Sequence, residues 1–264
     1  MEGVAEITAE RVQPLLRTAR YGRSLRVLTQ TDSTNDDAHG DAAQGAIDGH
    51  VVVADAQRSG RGSHGRTWAS PAGTDLYLSI VARPELALNE LPPLTLAVGL
   101  GVAEAVEQLL GAGTAQRTEV KWPNDVWLAG KKCAGVLLES RSAAPQVVIG
   151  VGLNVNRLQF PAELVPLATS LRAHRRAQEP LDRARVLAVL LGAIERWVDR
   201  FVAERGKPVA EALARRLALR GQRVRCGSHE GYLVGVADSG ALRLSTEAGL
   251  VEVIAGRIEP LAPS

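Results

Sequence analysis

The chain has 264 residues, with 31 lysines and arginines against 29 aspartates and glutamates, and few aromatic side chains: four Trp, three Tyr and two Phe. Such a length supplies a core without disulfide staples, and 45% apolar with 23% charged residues excludes wholesale disorder. A net charge of +2 excludes binding nucleic acid by bulk charge alone, and the widely separated Cys133 and Cys226 exclude a disulfide framework or a zinc spacing. The first residues carry acids and no apolar run, unlike a signal peptide, and no stretch approaches 18 uninterrupted apolar residues. A soluble, cytoplasmic protein with no membrane segment is the expectation.

In chain order, residues 8–20 read as a short helix with Thr8 as N-cap. A strand follows at 26–31 and runs into the polar cluster DSTNDD. HVVVADAQ (50–57) reads as a buried strand that ends in a loop rich in Gly, Arg and Ser, and LYLSIVARP (76–84) as another strand. Pro92 and Pro93 open a long apolar helix closed by Gly111 and Gly113. Two β-rich runs around a proline turn and a Gly-Lys-Lys turn come next at 118–140, then a strand at 146–156. Leucine and alanine spacing predicts helices at 181–205 and 207–219. From about residue 221, short strands with Asp-Ser-Gly and Glu-Ala-Gly turns predict a small antiparallel barrel. The plan is an α+β domain over 1–218 followed by a barrel domain over 219–264.

Three segments carry chemistry. QRSGRGSHGRTW (57–68) places three glycines and three arginines within twelve residues at a strand end. Such a loop brings backbone N–H groups and forked guanidinium donors onto an anion, although a solvated basic turn has the same composition. KWPND (121–125) presents Trp, Lys, Asn and Asp on a connection bent by Pro123, or is only a turn with Trp122 in the core. GKKCAG (130–135) feeds a lysine onto an apolar strand, where it either meets a ligand's negative charge or is solvated. Cys133 reads as a small buried hydrophobe. No phosphate-loop signature, H-E-x-x-H or G-x-S-x-G occurs, and GLGVAE (99–104) reads as helix packing.

Taken in order, TDSTN (31–35), GRGSHGRTWASPAGTDLYLSI (60–80), KWPND, GKKCAGVLLE (130–139), VVIGVGLNVN (147–156) and ATSLR (168–172) resemble the biotin–protein ligases. The resemblance runs from about residue 25 to the end. It implies a class II synthetase-like mixed sheet flanked by helices, followed by an SH3-like β-barrel. It implies ATP and biotin as substrates with Mg2+, and biotin carboxyl carrier protein of acetyl-CoA carboxylase as acceptor. Nucleic acid is not expected as a partner, and homodimerisation stays open.

The resemblance also distributes roles. Ser33, Thr34 and Gln57, with Gly60, Gly135 and Leu137, would hold biotin. Arg61 would meet the biotin carboxylate and later the adenylate phosphate, and Lys132 would bridge carboxylate and α-phosphate. Arg66, Trp68 and Asn154 would hold ATP and the adenylate, and Asp125 would orient it or associate with magnesium. Trp68 and Trp122 would wall the adenylate, while Trp127 and Trp197 pack. One departure stands out: many members carry Arg where this chain has Ser63. Ser63 then means a looser clamp over the adenylate, or His64 compensates; an ordinary, non-leaky enzyme is the expectation, because Arg61, Arg66 and Trp68 keep the main anion contacts.

Two rivals are weighed. A lipoate ligase shares the scaffold, but the arginine–glycine loop and the barrel favour biotin. A biotin-responsive repressor would carry a winged helix-turn-helix of about 60 residues ahead of the ligase, and only 30 residues precede TDSTN here.

Overall fold

A computed structural model of the chain describes residues 6–111, 117–141, 146–175 and 179–261, with Leu88 described in its backbone only; Gly113, expected at a helix end, lies outside the described residues. The first helix is shorter than expected. α1 spans Ala9–Val12, Thr8 caps it by accepting from the Arg11 N–H, and Pro14 tightens residues 13–15 into a single 3-10 turn.

The central sheet has seven strands: β1 (Leu25–Thr31), β2 (Val51–Gln57), β3 (Leu76–Ala82), β4 (Thr118–Lys121), β5 (Asp125–Leu128), β6 (Lys131–Glu139) and β7 (Val147–Leu153). Their order is β1-β2-β3-β7-β6-β5-β4. Only the β1–β2 pair is parallel; β2–β3 and all the rest are antiparallel. Residues 118–139 thus form three strands where two were expected, because the sharp turns at 122–124 and 129–130 cut the β-rich stretch twice.

Helices cover both faces. On one lie α3 (Pro92–Leu110), opened by its proline pair, and α4 (Arg183–Glu204), capped by Asp182. Gly101 lets them approach: a Cβ there would meet the Ala193 carbonyl oxygen at 2.9 Å. Helix α3 is long and apolar enough to cross a membrane, and most of it is buried within the fold. The other face carries α2 (Thr34–Ala43), a helix that the sequence does not predict. Its segment has no leucine, valine or isoleucine, so hydrophobic periodicity gives no signal. Ala38 and Ala42 alone pack it on Val52, Val81 and Val148.

α5 (Lys207–Arg216) leads to a five-stranded antiparallel sheet where the small barrel is expected: β8 (Arg223–Cys226), β9 (His229–Val236), β10 (Leu242–Thr246), β11 (Gly249–Val253) and β12 (Ile258–Pro260). The order is β11-β10-β9-β8-β12. Trp122 ties the two sheets together by donating its indole N–H to the Gly240 carbonyl at 2.9 Å.

Candidate active site

Strand alternation explains why a cavity opens beside α2. Successive side chains of a strand point to opposite faces, so Val148, Gly150 and Gly152 of β7 share the face that α2 covers. The register sets Val81, Ser79 and Tyr77 beside them on one side, and Glu139, Leu137 and Gly135 on the other. At Val148 the face is filled by α2 and at Gly150 by Asn35 of its first turn; beyond, Gly152 and Gly135 make room for the Trp68 indole. The cavity above this floor measures about 310 Å3.

The arginine–glycine loop forms one wall. Trp68 N–H donates to the Gly60 carbonyl and Gly62 N–H to that of Arg66, folding 60–68 back on itself. Gly60 is required by space: a Cβ would lie 2.6 Å from the Trp68 carbonyl oxygen. Gly60 therefore shapes the loop without lining the cavity. Arg61 lines it, but its fork is held by protein carboxylates: Nη1 and Nη2 donate to Asp36 at 2.5 and 3.0 Å, and Nη2 also to Glu139 Oε2 at 3.2 Å. Arg141 donates to Asp36 as well, at 2.5 Å. Bonding by Arg61, reinforced by Arg141, pulls the Asp36 carboxyl down to about 2. Arg66 is exposed and donates to Ser63 Oγ at 2.9 Å. His64, at φ 57°, is exposed and lies outside the cavity lining.

Trp68 lies flat over the floor. Cβ atoms at Gly152 and Gly135 would meet its indole at 2.4 and 3.0 Å, and Lys132 Nζ sits 5.1 Å from its ring centre. Lys132 comes from β6 and is paired with Asp125 Oδ1 of β5 at 2.6 Å. Lys121 stacks on Trp127, 4.9 Å from the ring centre, and burial lowers its affinity for a proton. Asn154 comes just after β7 and is fixed from both ends: its N–H donates to the Cys133 carbonyl and its Nδ2 to that of Thr169. Cys133 is fully buried, and burial pushes its thiol up to about 12, which removes it as a nucleophile.

The tryptophan expectation is half reversed. Trp68 lines the cavity as expected, but Trp122 is 3% exposed and belongs to the core. Trp127 lines the cavity in its place. The turn explains both: β5 restarts at Asp125 after residues 122–124, so Asp125 and Trp127 alternate onto the same side of the strand. Trp197 packs on α4, half-buried, with its N–H on Glu104.

Polar, uncharged groups build the far end. Gln57 Oε1 accepts from the Thr34 N–H at 2.9 Å, and Gln57 Nε2 donates to Ser70 Oγ at 2.9 Å. Ser33, Thr34 and Leu137 line the cavity beside it, and both hydroxyl residues are buried. Sequence patterns single out neither Asp36, Glu139, Asn35 and Ser79 nor Arg157, which also lines the cavity and is held on Asp75 at 2.5 Å. Asn35, Glu139 and Ser79 stand inside the TDSTN, GKKCAGVLLE and GRGSHGRTWASPAGTDLYLSI motifs, but only strand register shows that they meet.

The donor set does not fit a resident magnesium ion. Asp125 is a single carboxylate already paired with Lys132, and no cluster of three His, Cys, Asp or Glu suited to a metal occurs among the described residues.

Comparison with known proteins identifies the family. The Biotin/lipoate A/B protein ligase family profile matches residues 27–156. The biotin–[acetyl-CoA-carboxylase] ligase of Mycobacterium tuberculosis is 40% identical over 89% of this chain and 88% of its own length. The bifunctional ligase/repressor BirA of Bacillus subtilis is 33% identical over 92% of this chain and 76% of its own. The Aquifex aeolicus biotin protein ligase, solved in complex with biotin and ATP, superposes with a TM-score of 0.77 at 30% identity, over 91% of this chain and 100% of that one. The chain belongs to the biotin–protein ligase family.

Proposed function

We propose that this enzyme activates biotin with ATP and transfers the biotinyl group to a lysine of biotin carboxyl carrier protein of acetyl-CoA carboxylase. A biotin carboxylate oxygen attacks the α-phosphorus, the bond to the β-phosphate breaks, and biotinyl-5′-AMP and pyrophosphate form. The neutral amine of the carrier lysine then attacks the acyl carbon, and AMP leaves. One observation carries the reading: Lys132 and Arg61, on separate elements, line one cavity whose far end is uncharged and hydrogen-bonding. Two anions must meet at the cationic end, while a neutral polar ring needs the other.

Thr34 and Gln57, beside Ser33 and Leu137, receive the ureido ring. The acyl chain lies along Trp68, whose indole rests on Gly135 and Gly152, where a side chain would displace it. Lys132, held in place by Asp125, neutralises carboxylate and α-phosphate oxygens as the new bond forms; fixed charge at that point lowers the barrier without reorganisation. Arg61 exchanges its carboxylate partners for the carboxylate and phosphate of the reactants. Arg66 and Trp68 close over the adenylate and exclude water from a reactive anhydride. Asn154 faces the adenosine end. We place Mg2+ on the triphosphate of ATP rather than on the protein. We also assign residues 219–264 as a separate barrel domain, and the reaction to the cytoplasm, in keeping with two free, buried cysteines.

ATP–pyrophosphate exchange measured with biotin, lipoate and octanoate side by side tests the reading. Exchange is expected with biotin alone; exchange with lipoate and none with biotin overturns it.

A further inference from the structure

A chain of five side chains, its middle three buried, lies on the α2-covered face of the sheet beside the cavity, and the roles above leave most of it unused. Asn35 Nδ2 donates to Glu139 Oε2 at 2.8 Å. Ser79 Oγ lies 2.6 Å from Asn35 Oδ1 and 2.8 Å from Thr34 Oγ1. Thr34 Oγ1 lies 3.1 Å from Gln57 Oε1. Ser79 is fully buried, and Asn35 and Thr34 nearly so. The room for Asn35 is provided by Gly150, where a Cβ would meet Asn35 Oδ1 at 2.3 Å.

Counting protons along this chain gives one solution. A carboxylate only accepts, so Glu139 compels Asn35 to turn its NH2 group outward and its Oδ1 toward Ser79. That oxygen also only accepts, so the single Ser79 proton goes to it. Thr34 then has one proton for two neighbouring oxygens, and it goes to the nearer, Ser79 Oγ at 2.8 Å rather than Gln57 Oε1 at 3.1 Å. Thr34 Oγ1 has no proton left for Gln57 Oε1, which takes the Thr34 backbone N–H instead. Two oxygens 3.1 Å apart therefore face the cavity region without a proton between them. Such a pair repels itself unless an N–H from a bound molecule bridges it.

We infer that Glu139, acting through Asn35 and Ser79, sets Thr34 and Gln57 as a paired acceptor that selects a ring N–H. Glu139, Asn35 and Ser79 are positioning residues. The same Glu139 carboxylate holds Arg61, so one group orients both ends of the cavity. This inference rests on the reading of Thr34 and Gln57 as the ureido end.

The test uses biotin and the two cyclic carbamates in which one ring N–H is replaced by O, which presents a third oxygen to the pair. Wild-type enzyme is expected to favour biotin over one of these carbamates by about 30-fold or more in kcat/KM for pyrophosphate exchange. Ser79→Ala frees the Thr34 proton; the preference is expected to fall below about threefold, with KM for biotin up about tenfold and KM for ATP unchanged. Glu139→Leu lets the Asn35 amide turn over and is expected to lose the same preference, which decides the matter if Ser79→Ala does not fold. Glu139→Gln still offers Asn35 an acceptor and is expected to keep it. Wild-type preference in both Ser79→Ala and Glu139→Leu, or its loss in Glu139→Gln alone, overturns the inference. No biotin-dependent exchange in the wild-type enzyme fails the underlying reading instead, and the two failures are distinct.

Discussion

Two segments supply the cations of this site, and they are built differently. Lys132 stands on β6, paired with Trp127 of β5 on one side and hydrogen-bonded to the backbone of Leu167 and Thr169 on the other, next to the buried Cys133 and Ala134. Arg61 stands in a partly exposed loop closed by a few backbone hydrogen bonds and one isolated bridge to Thr67. The lysine has a partner on the adjacent strand, whereas the arginine has partners on α2 and at the end of β6. The difference teaches a division of labour. On the proposed mechanism, the charge that meets the reacting atoms is set on rigid backbone, and the charge that follows a changing ligand is set on a loop with exchangeable partners. The two tryptophans repeat it: Trp122 joins the sheets, and Trp68 caps the floor from the loop.

Removing each charge is the sharpest way to break this comparison. Lys132→Ala is expected to lower biotin-dependent exchange by about a thousandfold or more with circular dichroism unchanged; wild-type turnover would mean that another cation does the work. Arg61→Ala is expected to cost about a hundredfold and to raise KM for biotin and ATP together, since a mobile clamp contributes to binding as well as to the transition state. Gly152→Ala puts a methyl group into the Trp68 indole and is expected to raise KM for biotin about tenfold; unchanged kinetics would show that Trp68 does not rest on the floor.

The tryptophans should separate stability from activity. Trp122→Phe loses the hydrogen bond to Gly240 and is expected to lower stability by about 1–3 kcal/mol, read by urea unfolding, with KM unaltered. Trp68→Phe is expected to do the opposite. The smallest effect concerns Asp36. Its depressed carboxyl contributes stability that is present above its ordinary value near 3.8 and is lost as pH falls through about 2. In Arg61→Ala that titration should move upward, toward the ordinary range, as followed by carboxyl NMR; an unmoved Asp36 would mean that Arg141 alone holds it.

Much of the fold could be read along the chain. The proline pair before Leu94 and the glycine at 111 bound α3 because a ring without an N–H suits a helix start and a positive φ suits its end. The valine run at 51–53 announces a strand buried on both faces. The α2 helix could not be read, since it packs through two alanines, and a helix without an apolar stripe looks like a loop. The site divides in the same way. Arg61, Arg66, Lys132 and Asp125 stand in segments whose residue types announce anion chemistry.

What the sequence by itself determined is the family, the order of the motifs and the two basic segments that the structure brings to one cavity. Local chemistry is written in consecutive residues, and a family pattern survives without knowledge of the fold. Only the tertiary structure decided which side of each strand faces the cavity. That choice depends on register, where a shift of one residue exchanges the two faces. It put Trp127 in the lining and Trp122 in the core, and it drew Asn35, Ser79 and Glu139, from a helix and two separate strands, into one hydrogen-bonded chain.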